Sequence, residues 1–450
     1  MGDSVFTHTE DELKQIAAEV LRYAKERGAS SAVAAVSDGS GLAVSVRKGE
    51  IETIEHNRDK GVGVTLYIGK KRGNATSSDF SEKSIRETVH AAYNIASFTA
   101  EDSSAGLPDA DRMAQHPPDL QLYHPWRITA EEAVDIAVRC ESAAFAMDSK
   151  ITNSEGASVD IHHTRFVMAD SQGFIGGYPS SRHTISVAPI AGEGAGMQRD
   201  HWYTSSRVPE ELLAPEFVGR RAAERALARL GARRIETQKC PVLLEAPLAA
   251  GLVNTLVNAL SGGALYRQSS FLPDSLGQPI FPAHIYLLED PHITCGIASA
   301  PFDDEGVQTG RRHVVQRGIV EGYFLSSYSA RKLGLQTTGN AGGAHNLSFF
   351  SSETKSDDDL DAMLGKLDRG LFVTDLMGQG VNYVTGDYSR GASGYWVENG
   401  RIQYPVQEIT IAGNLKEMYR GIAAIGADTF IRYGNETGSV LIEEMTVAGN

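Results

Sequence analysis

Metal-dependent hydrolysis is the first chemistry to test against the histidines of this 450-residue sequence. Zinc hydrolases typically carry two histidines one turn apart on a helix, with an adjacent Glu that takes the proton of metal-bound water. None of the 13 histidines begins such a motif. The adjacent pair His162-His163 lies in a predicted strand, where consecutive side chains point to opposite faces. The sequence therefore predicts ordinary strand histidines here rather than a shared metal site.

Cysteine and carboxylate chemistry are the next candidates. Cys295 follows His292 by three residues, and a thiolate nucleophile needs a nearby base. In the predicted strand this spacing places the two side chains on opposite faces, so Cys295 is interpreted as a buried thiol. The acidic run Asp303-Asp304-Glu305-Gly306 could bind a hard cation or supply an acid–base pair. Acidic residues before glycine more often form a turn, which is the alternative interpretation.

Nucleotide and serine-nucleophile motifs are missing. The sequence contains neither GxxxxGK[ST] nor GxSxG, and the glycine-rich run 339–343 is not in a strand-to-helix context. From the residues alone, no complete catalytic constellation can be assembled.

Charge and composition exclude several classes of protein. The net charge of −15 argues against a protein that neutralises nucleic-acid phosphates or anionic lipid. Three widely spaced cysteines predict no disulfide framework, and the acidic N-terminal sequence does not resemble a signal peptide. The uncharged segment 246–266 contains Pro and Asn residues, so it predicts a buried soluble segment rather than a membrane span. We expect a cytoplasmic protein without a membrane or nucleic-acid partner.

The first half of the chain is predicted to carry helices and strands in blocks rather than in strict alternation. Capping boxes, Thr9 with Glu12 and Thr129 with Glu132, predict the starts of two helices, and a further helix is expected between them. Apolar residues of period two over 31–78 predict an antiparallel meander. Its turn signals are Asp38-Gly39, Lys48-Gly49 and Lys60-Gly61. Strands return over 158–207, and a helix over 215–230 closes this half.

The second half is predicted to be richer in strands. It has an apolar helix over 248–260, a hairpin at Glu398-Asn399-Gly400 and a helix over 414–424. The expected fold class is α+β. An N-terminal α+β domain of residues 1–235, with helices packed on antiparallel strands, precedes a β-rich C-terminal domain of residues 236–450 that forms a curved sheet or open barrel.

Three segments resemble a known family. These are ITNSEG at 151–156, SSYSARKLGLQTTGNAGG at 326–343 and the forty-residue run from Leu376 to Leu415. The chain resembles the TldD/PmbA metallopeptidase family over nearly its whole length, and within it the PmbA (TldE) branch. The resemblance implies a heterodimer with a TldD-type zinc peptidase subunit, enclosing a chamber that admits unfolded peptides.

The resemblance also implies which positions carry the zinc site in the TldD branch. Its HExxxH motif matches Asn254, Thr255 and Ala259 here, and none of these can act as an imidazole ligand or a carboxylate base. The stretch 433–439, which matches a C-terminal Cys ligand, contains no Cys. We therefore expect no catalytic residue, metal ligand or cofactor in this chain, with zinc held by the TldD-type partner.

The leading hypothesis is a supporting subunit of a zinc-dependent peptidase complex that matures peptides and degrades small unfolded proteins. One alternative is a self-sufficient metallopeptidase with a site built from scattered residues such as His313, His345, Asp303 and Glu305. Another is a non-catalytic, peptide-binding homodimer, so whether the chain is itself an enzyme stays open. The candidate residues for contact with peptide or partner are Asp303, Asp304, Glu305, Tyr388 and Arg390.

Overall fold

The computed structural model describes residues 5–449, which form two compact units. Unit 1 contains the chain up to Leu227 together with Thr294–Ile297 and Pro301–Gln308, and unit 2 contains the remainder. The division into domains at residues 235 and 236 stays a prediction, because a compact unit is not by itself an independently folding domain.

Unit 1 is built on an antiparallel sheet of seven strands in the order β3-β2-β1-β4-β5-β6, with β7 also paired to β5. The strands are β1 Ser31–Arg47, β2 Glu50–Ile68, β3 Lys71–Ser77, β4 Ile151–Asp170, β5 Ile175–Ala191, β6 Gln198–Arg199 and β7 Trp202–Ser206. The helices are α1 Glu10–Arg27, α2 Glu82–Phe98, α3 Ala130–Phe145 and α4 Pro215–Ala228. Short 3-10 turns occupy Ala110–Arg112, Gly194–Gly196 and Pro209–Glu211.

The helices of unit 1 bury two apolar clusters. α1 and α2 cover one with Leu13, Val20 and Ile85, and α3 and α4 cover the other with Cys140 and Val218. Both predicted capping boxes are present, and each helix begins directly after its threonine. The sequence prediction of these helices is confirmed.

Two of the three predicted turns in the meander are wrong. Only Lys48-Gly49 forms a turn, whereas β1 continues through Asp38-Gly39 and β2 through Lys60-Gly61, with Asp38 paired to Lys60. Asp38 is not a turn residue because its buried carboxylate accepts a hydrogen bond from the backbone N–H of His8, at 2.7 Å. This long-range contact leaves no signal in the local sequence.

Unit 2 contains two six-stranded sheets, in the orders β11-β10-β9-β12-β18-β17 and β15-β14-β13-β8-β19-β16. The strands are β8 Gln238–Leu244, β9 Ile285–Asp290, β10 Arg312–Gln316, β11 Ile319–Val320, β12 Asn346–Ser351, β13 Gly370–Met377, β14 Asp387–Glu398, β15 Arg401–Asn414, β16 Ile422–Ile425, β17 Phe430–Arg432, β18 Asn435–Thr437 and β19 Val440–Ala448. The helices are α5 Ala246–Ala259, α6 Gly262–Tyr266, α7 Ser327–Leu333, α8 Leu360–Leu367 and α9 Leu415–Arg420.

One sheet of unit 2 closes into a barrel. Thr410 to Ala412 of β15 pair with Thr446 to Ala448 of β19, which joins β8, β13, β14, β15 and β19 into a ring. The α+β fold class and the predicted hairpin at Glu398-Asn399-Gly400 are confirmed, and the barrel is closed rather than open. Within residues 5–449, no helix is long and apolar enough to cross a membrane.

Candidate functional site around helix α5

Helix α5 is held in unit 2 by an apolar face. Leu252, Val253 and Leu256 of this helix belong to the large core of the unit. Tyr419, which is fully buried, donates a hydrogen bond from its hydroxyl to the carbonyl oxygen of Leu252 at 3.2 Å. The helix presents its opposite face, with Asn254 and Asn258, outward.

The three positions matched to the zinc motif do not converge. Asn254 is exposed, whereas Thr255 and Ala259 lie one turn apart on the buried face. The hydroxyl of Thr255 donates to the carbonyl oxygen of Gly251 at 3.0 Å, a bond within the helix itself. A buried hydroxyl and a methyl group leave this part of the helix suited to packing and unsuited to metal ligation.

An amide pair joins the helix to strand β18. Nδ2 of Asn435 donates a hydrogen bond to Oδ1 of Asn254 at 2.7 Å, and Asn435 is only 4% exposed. Asn435 belongs to the stretch 433–439, which the sequence matched to the missing Cys ligand. The two segments that the resemblance matches to the metal ligands of the TldD branch therefore meet in the structure, and an uncharged hydrogen bond joins them.

The residues around the amide pair offer hydrogen-bonding groups rather than metal ligands. Asn258 donates to the carbonyl oxygen of Asn254 at 3.0 Å and lies 3.4 Å from the hydroxyl of Tyr383. Arg432 donates to the carbonyl oxygen of Pro247 at 3.2 Å. Because none of these side chains is an imidazole, a thiol or a carboxylate, the cluster does not fit a zinc ion.

Two of the residues considered for a scattered metal site, His345 and Asp303, are engaged in other contacts. Nδ1 of His345 lies 2.9 Å from Oε1 of Glu289, both deeply buried in unit 2. Oδ1 of Asp303, in unit 1, accepts the backbone N–H groups of Glu305 and Val307 at 2.9 Å each. Throughout residues 5–449, no three His, Cys, Asp or Glu side chains are grouped so that they could hold a metal ion.

The acidic run forms a turn whose members differ in exposure. Asp303 is 3% exposed, Asp304 is exposed and Glu305 is intermediate. The pKa of Tyr178 is raised to about 12 by burial, with a smaller contribution from the charge of Asp304. The turn interpretation accounts for the hydrogen bonds of Asp303, and contact with peptide or partner stays a prediction for all three residues.

Tyr388 and Arg390 lie on β14 beside the end of β13. Tyr388 is 5% exposed, and burial raises the pKa of its phenol. Nη2 of Arg390 donates to the carbonyl oxygen of Leu376 at 3.3 Å, which ties the two strands together. Their role in contacts with peptide or partner also stays a prediction.

The expected strand around Cys295 is wrong. β9 ends at Asp290, and Cys295 lies in a loop with a φ of 57°. The interpretation as a buried thiol is also wrong, because Cys295 is partly exposed in this loop. Its Sγ is 3.3 Å from Nε2 of His124, a partner 171 residues away that sequence reasoning missed. Burial raises the pKa of the Cys295 thiol, with a smaller contribution from the charge of Glu211, so the pair favours a neutral thiol over a thiolate nucleophile.

The strand histidines are confirmed in β4, and one of them packs against a third histidine. The rings of His163 and His183 meet edge to face at 5.5 Å between centroids, and both side chains are buried. Burial lowers the pKa of His163 to about 4, and the pKa of His183 is also lowered, chiefly by burial. These are neutral core histidines at pH 7.

Sequence comparisons identify the relatives of this fold. Models of the PmbA/TldA metallopeptidase family match residues 32–96 (domain 1), 123–230 (central domain) and 237–449 (C-terminal domain). Metalloprotease PmbA of Escherichia coli O157:H7 is 46% identical over 437 residues, which cover 97% of this chain and 96% of that protein. The chain belongs to the PmbA/TldA metallopeptidase family. Within the family it falls in the PmbA/TldE branch.

Solved structures share the PmbA fold. A protein from Bacteroides thetaiotaomicron, whose name refers to modulation of DNA gyrase, superposes with a TM-score of 0.91 at 26% identity, covering 98% of this chain and 99% of that one. TldE from Thermococcus kodakarensis superposes with a TM-score of 0.84 at 19% identity, covering 96% and 100% of the two chains. At that identity the second comparison shows the fold alone.

Proposed function

We propose that this PmbA-type chain is the non-catalytic subunit of a zinc-dependent peptidase complex, in which a TldD-type chain supplies the metal and the general base. The observation that carries the proposal is the hydrogen bond between Asn254 and Asn435. The family resemblance matches the segments of these two residues to the ligand-bearing segments of the TldD branch, and their amides offer zinc no imidazole, thiolate or carboxylate ligand.

The neighbouring side chains support a role in holding extended peptide. Asn258, Tyr383 and Arg432 combine amide, phenol and guanidinium groups, which can pair with the N–H and C=O groups of a peptide backbone. Such pairing requires substrate backbone that is free of internal structure, so unfolded segments are the substrate class that this surface fits. The proposed compartment is the cytoplasm.

The test is hydrolysis of one unstructured peptide by this chain alone, by the TldD-type chain alone and by their mixture. Each sample is measured with and without a zinc chelator, and again after zinc is restored. We expect this chain alone to be inactive and the mixture to be active, with chelator abolishing that activity. Chelator-sensitive hydrolysis by this chain alone would favour the self-sufficient peptidase and overturn the proposal.

A substitution at Arg432 separates peptide binding from chemistry. Arg432→Gln removes the charge and keeps hydrogen-bonding capacity, and Arg369→Gln, an exposed residue of the same unit, is the control. In the mixture we expect Arg432→Gln to raise KM several-fold with kcat nearly unchanged, because binding is lost equally in the ground and transition states. Peptide that binds this chain and stays intact even when the TldD-type chain is present would instead support the peptide-binding homodimer.

A further inference from the structure

Unit 2 contains a cleft of about 320 Å³ between helix α9 and the loop that follows α6. Residues of the segment 271–280 form one side of the cleft, and residues of α9 form the other. Its volume is at the lower end of the range of small-molecule sites. Neither Asn254 nor Asn435 lines it, so the cleft is separate from the candidate site around α5.

The inner surface of the cleft is apolar. The rings of Phe271 and Tyr419 lie 6.3 Å apart between centroids, and both side chains are buried. Ile280, which is also buried, lines the same cleft. Two aromatic rings and an isoleucine form a surface on which the apolar part of a ligand can pack. The cleft is therefore suited to a ligand with an apolar body.

Two cations and one carboxylate also line the cleft. Lys416 and Arg420 are four residues apart on α9, which places them on the same face of the helix, and both are exposed. Within residues 5–449 neither side chain forms an ion pair. Asp274, also exposed, is the one carboxylate among the described residues that line the cleft. The excess of one positive charge favours a singly charged anion, because Asp274 repels any further negative charge.

A buried hydroxyl group of the cleft lacks a partner. Ser275 is 4% exposed, and its Oγ makes no hydrogen bond within residues 5–449. An unpaired buried hydroxyl costs free energy, which a ligand that accepts its hydrogen bond would recover. A change of χ1 rotamer is enough to direct a serine hydroxyl to a new acceptor. Ser275 therefore offers a hydrogen bond that the protein alone does not use.

Hydrogen bonds to neighbouring segments hold both sides of the cleft in place. In the loop, the backbone N–H of Leu276 donates to the hydroxyl of Tyr323 at 2.9 Å. The backbone N–H of Gly277 donates to the carbonyl oxygen of Val320 at 2.8 Å. On the other side, the hydroxyl of Tyr419 is bonded to α5. A cleft that is ordered before binding loses little conformational entropy when a ligand enters.

We propose that this cleft binds a small organic carboxylate with an apolar body. The carboxylate pairs with Lys416 and Arg420, since ammonium and guanidinium groups form charge-assisted hydrogen bonds with it. The apolar body packs against Phe271 and Tyr419. Inorganic phosphate fits less well, because it has no apolar part and carries more negative charge than the cleft favours. The C-terminal residue of a peptide and a free carboxylic acid share the chemistry that fits.

The first test is saturation-transfer NMR with the full chain and N-acetyl-leucine. We expect saturable binding, with saturation transferred to the leucine methyl groups, because these pack on the aromatic rings. Two control probes each lack one part of the ligand: N-acetyl-leucinamide has no carboxylate, and acetate has no apolar body. Each should bind about tenfold more weakly or not at all. Equal binding of N-acetyl-leucine and its amide overturns the proposal, as does the absence of saturable binding.

Two further probes distinguish the sources of the carboxylate. 4-Methylpentanoate has the carbon skeleton and the carboxylate of leucine but no amide group. An affinity equal to that of N-acetyl-leucine supports a site for free carboxylic acids, whereas binding about tenfold weaker supports a site for peptide C-termini. The other probe is inorganic phosphate. If phosphate binds as tightly as N-acetyl-leucine, the cleft is a general anion site and the proposal is overturned.

Charge variants test whether the probe binds in this cleft. Arg420→Gln and Lys416→Gln each remove one cation, and we expect each to weaken binding of N-acetyl-leucine about fivefold or more. The matched control is Arg401→Gln, which changes an exposed arginine of β15 outside the cleft and should leave the affinity unchanged. Because all three side chains are exposed, the variants should keep the wild-type Tm. Unchanged affinity in both Arg420→Gln and Lys416→Gln overturns the proposal.

Discussion

At the scale of single residues, the amide pair of Asn254 and Asn435 is an uncharged hydrogen bond between the two segments that the family resemblance matches to metal ligands. A charged ligand cluster without its metal carries a desolvation cost, whereas two amides satisfy each other at 2.7 Å without charge. The sequence predicted both segments through the family resemblance. It did not predict the bond itself, because the partners are 181 residues apart and only the packing of β18 against α5 brings them together.

The strength of the amide pair can be measured with a double-mutant cycle. We expect Asn435→Ala to lower the free energy of unfolding by about 1 kcal/mol, since a partly buried neutral hydrogen bond is lost. Asn254→Ala and the double variant complete the cycle, and urea denaturation should give a coupling energy of about 0.5 kcal/mol or more. Fully additive effects would show that the two amides do not stabilise each other.

A buried carboxylate in unit 2 gives a second prediction at this scale. Glu289 is 1% exposed and accepts from Arg312 at 2.8 Å, Asn340 at 2.7 Å and His345 at 2.9 Å. Burial alone raises the pKa of Glu289, but the hydrogen bond from His345 and the charge of Arg312 outweigh it and hold the pKa below its ordinary value of 4.5. The charged carboxylate is therefore the form that the fold stabilises.

Glu289→Gln should destabilise the protein by about 3 kcal/mol at pH 7, because it leaves Arg312 without its buried counterion. The folded pKa is lowered, so this stabilisation is present above pH 4.5 and is lost as the pH falls through the folded pKa. Urea unfolding at several pH values should show a smaller loss of stability in acid for the variant than for wild type. Glu101→Gln, at an exposed site, should match wild type throughout.

At the scale of elements, local signals predicted the ends of helices better than the turns of strands. A capping box uses residues three apart, so Thr9 with Glu12 is sufficient to begin α1. The pair Asp38-Gly39 is equally local, but it is overridden by tertiary contact with His8. Helix packing also depends on distant residues, since α4 approaches α3 so closely that a Cβ on Gly219 would lie 2.0 Å from the carbonyl oxygen of Cys140.

Gly219→Ala should therefore push α4 away from α3 and cost about 1–3 kcal/mol, despite the better helix propensity of alanine. Gly251→Ala is the matched control in α5, where a Cβ meets no atom within 4 Å, and it should raise stability by up to about 1 kcal/mol. Thermal unfolding of both variants measures the difference. Equal midpoints for the two would contradict the close helix contact.

At the scale of the whole molecule, the forty-residue run that carried the family resemblance is distributed over one barrel. The run supplies the end of β13, all of β14 and β15 and the first residue of α9. The residues that carry the resemblance therefore lie mainly in strands of unit 2 rather than in a catalytic loop. Because a long continuous run of residues forms these strands, the sequence could indicate the family and the fold class. It could not predict the contact of Cys295 with His124 in unit 1, whose partners are far apart in the chain.

The last prediction at this scale concerns the effect of zinc on the thermal stability of the chain. A ligand that binds only the folded state raises the melting temperature, by an amount that grows with the logarithm of the ligand concentration relative to Kd. No group of three or more His, Cys, Asp or Glu side chains in residues 5–449 could hold a metal ion, so we expect Tm of this chain alone to be unchanged by a zinc chelator or by added zinc. The TldD-type chain serves as the positive control in the same scan, where chelation should lower Tm. A chelator-dependent drop in Tm for this chain would reveal a bound metal and contradict the proposal that only the TldD-type chain holds zinc.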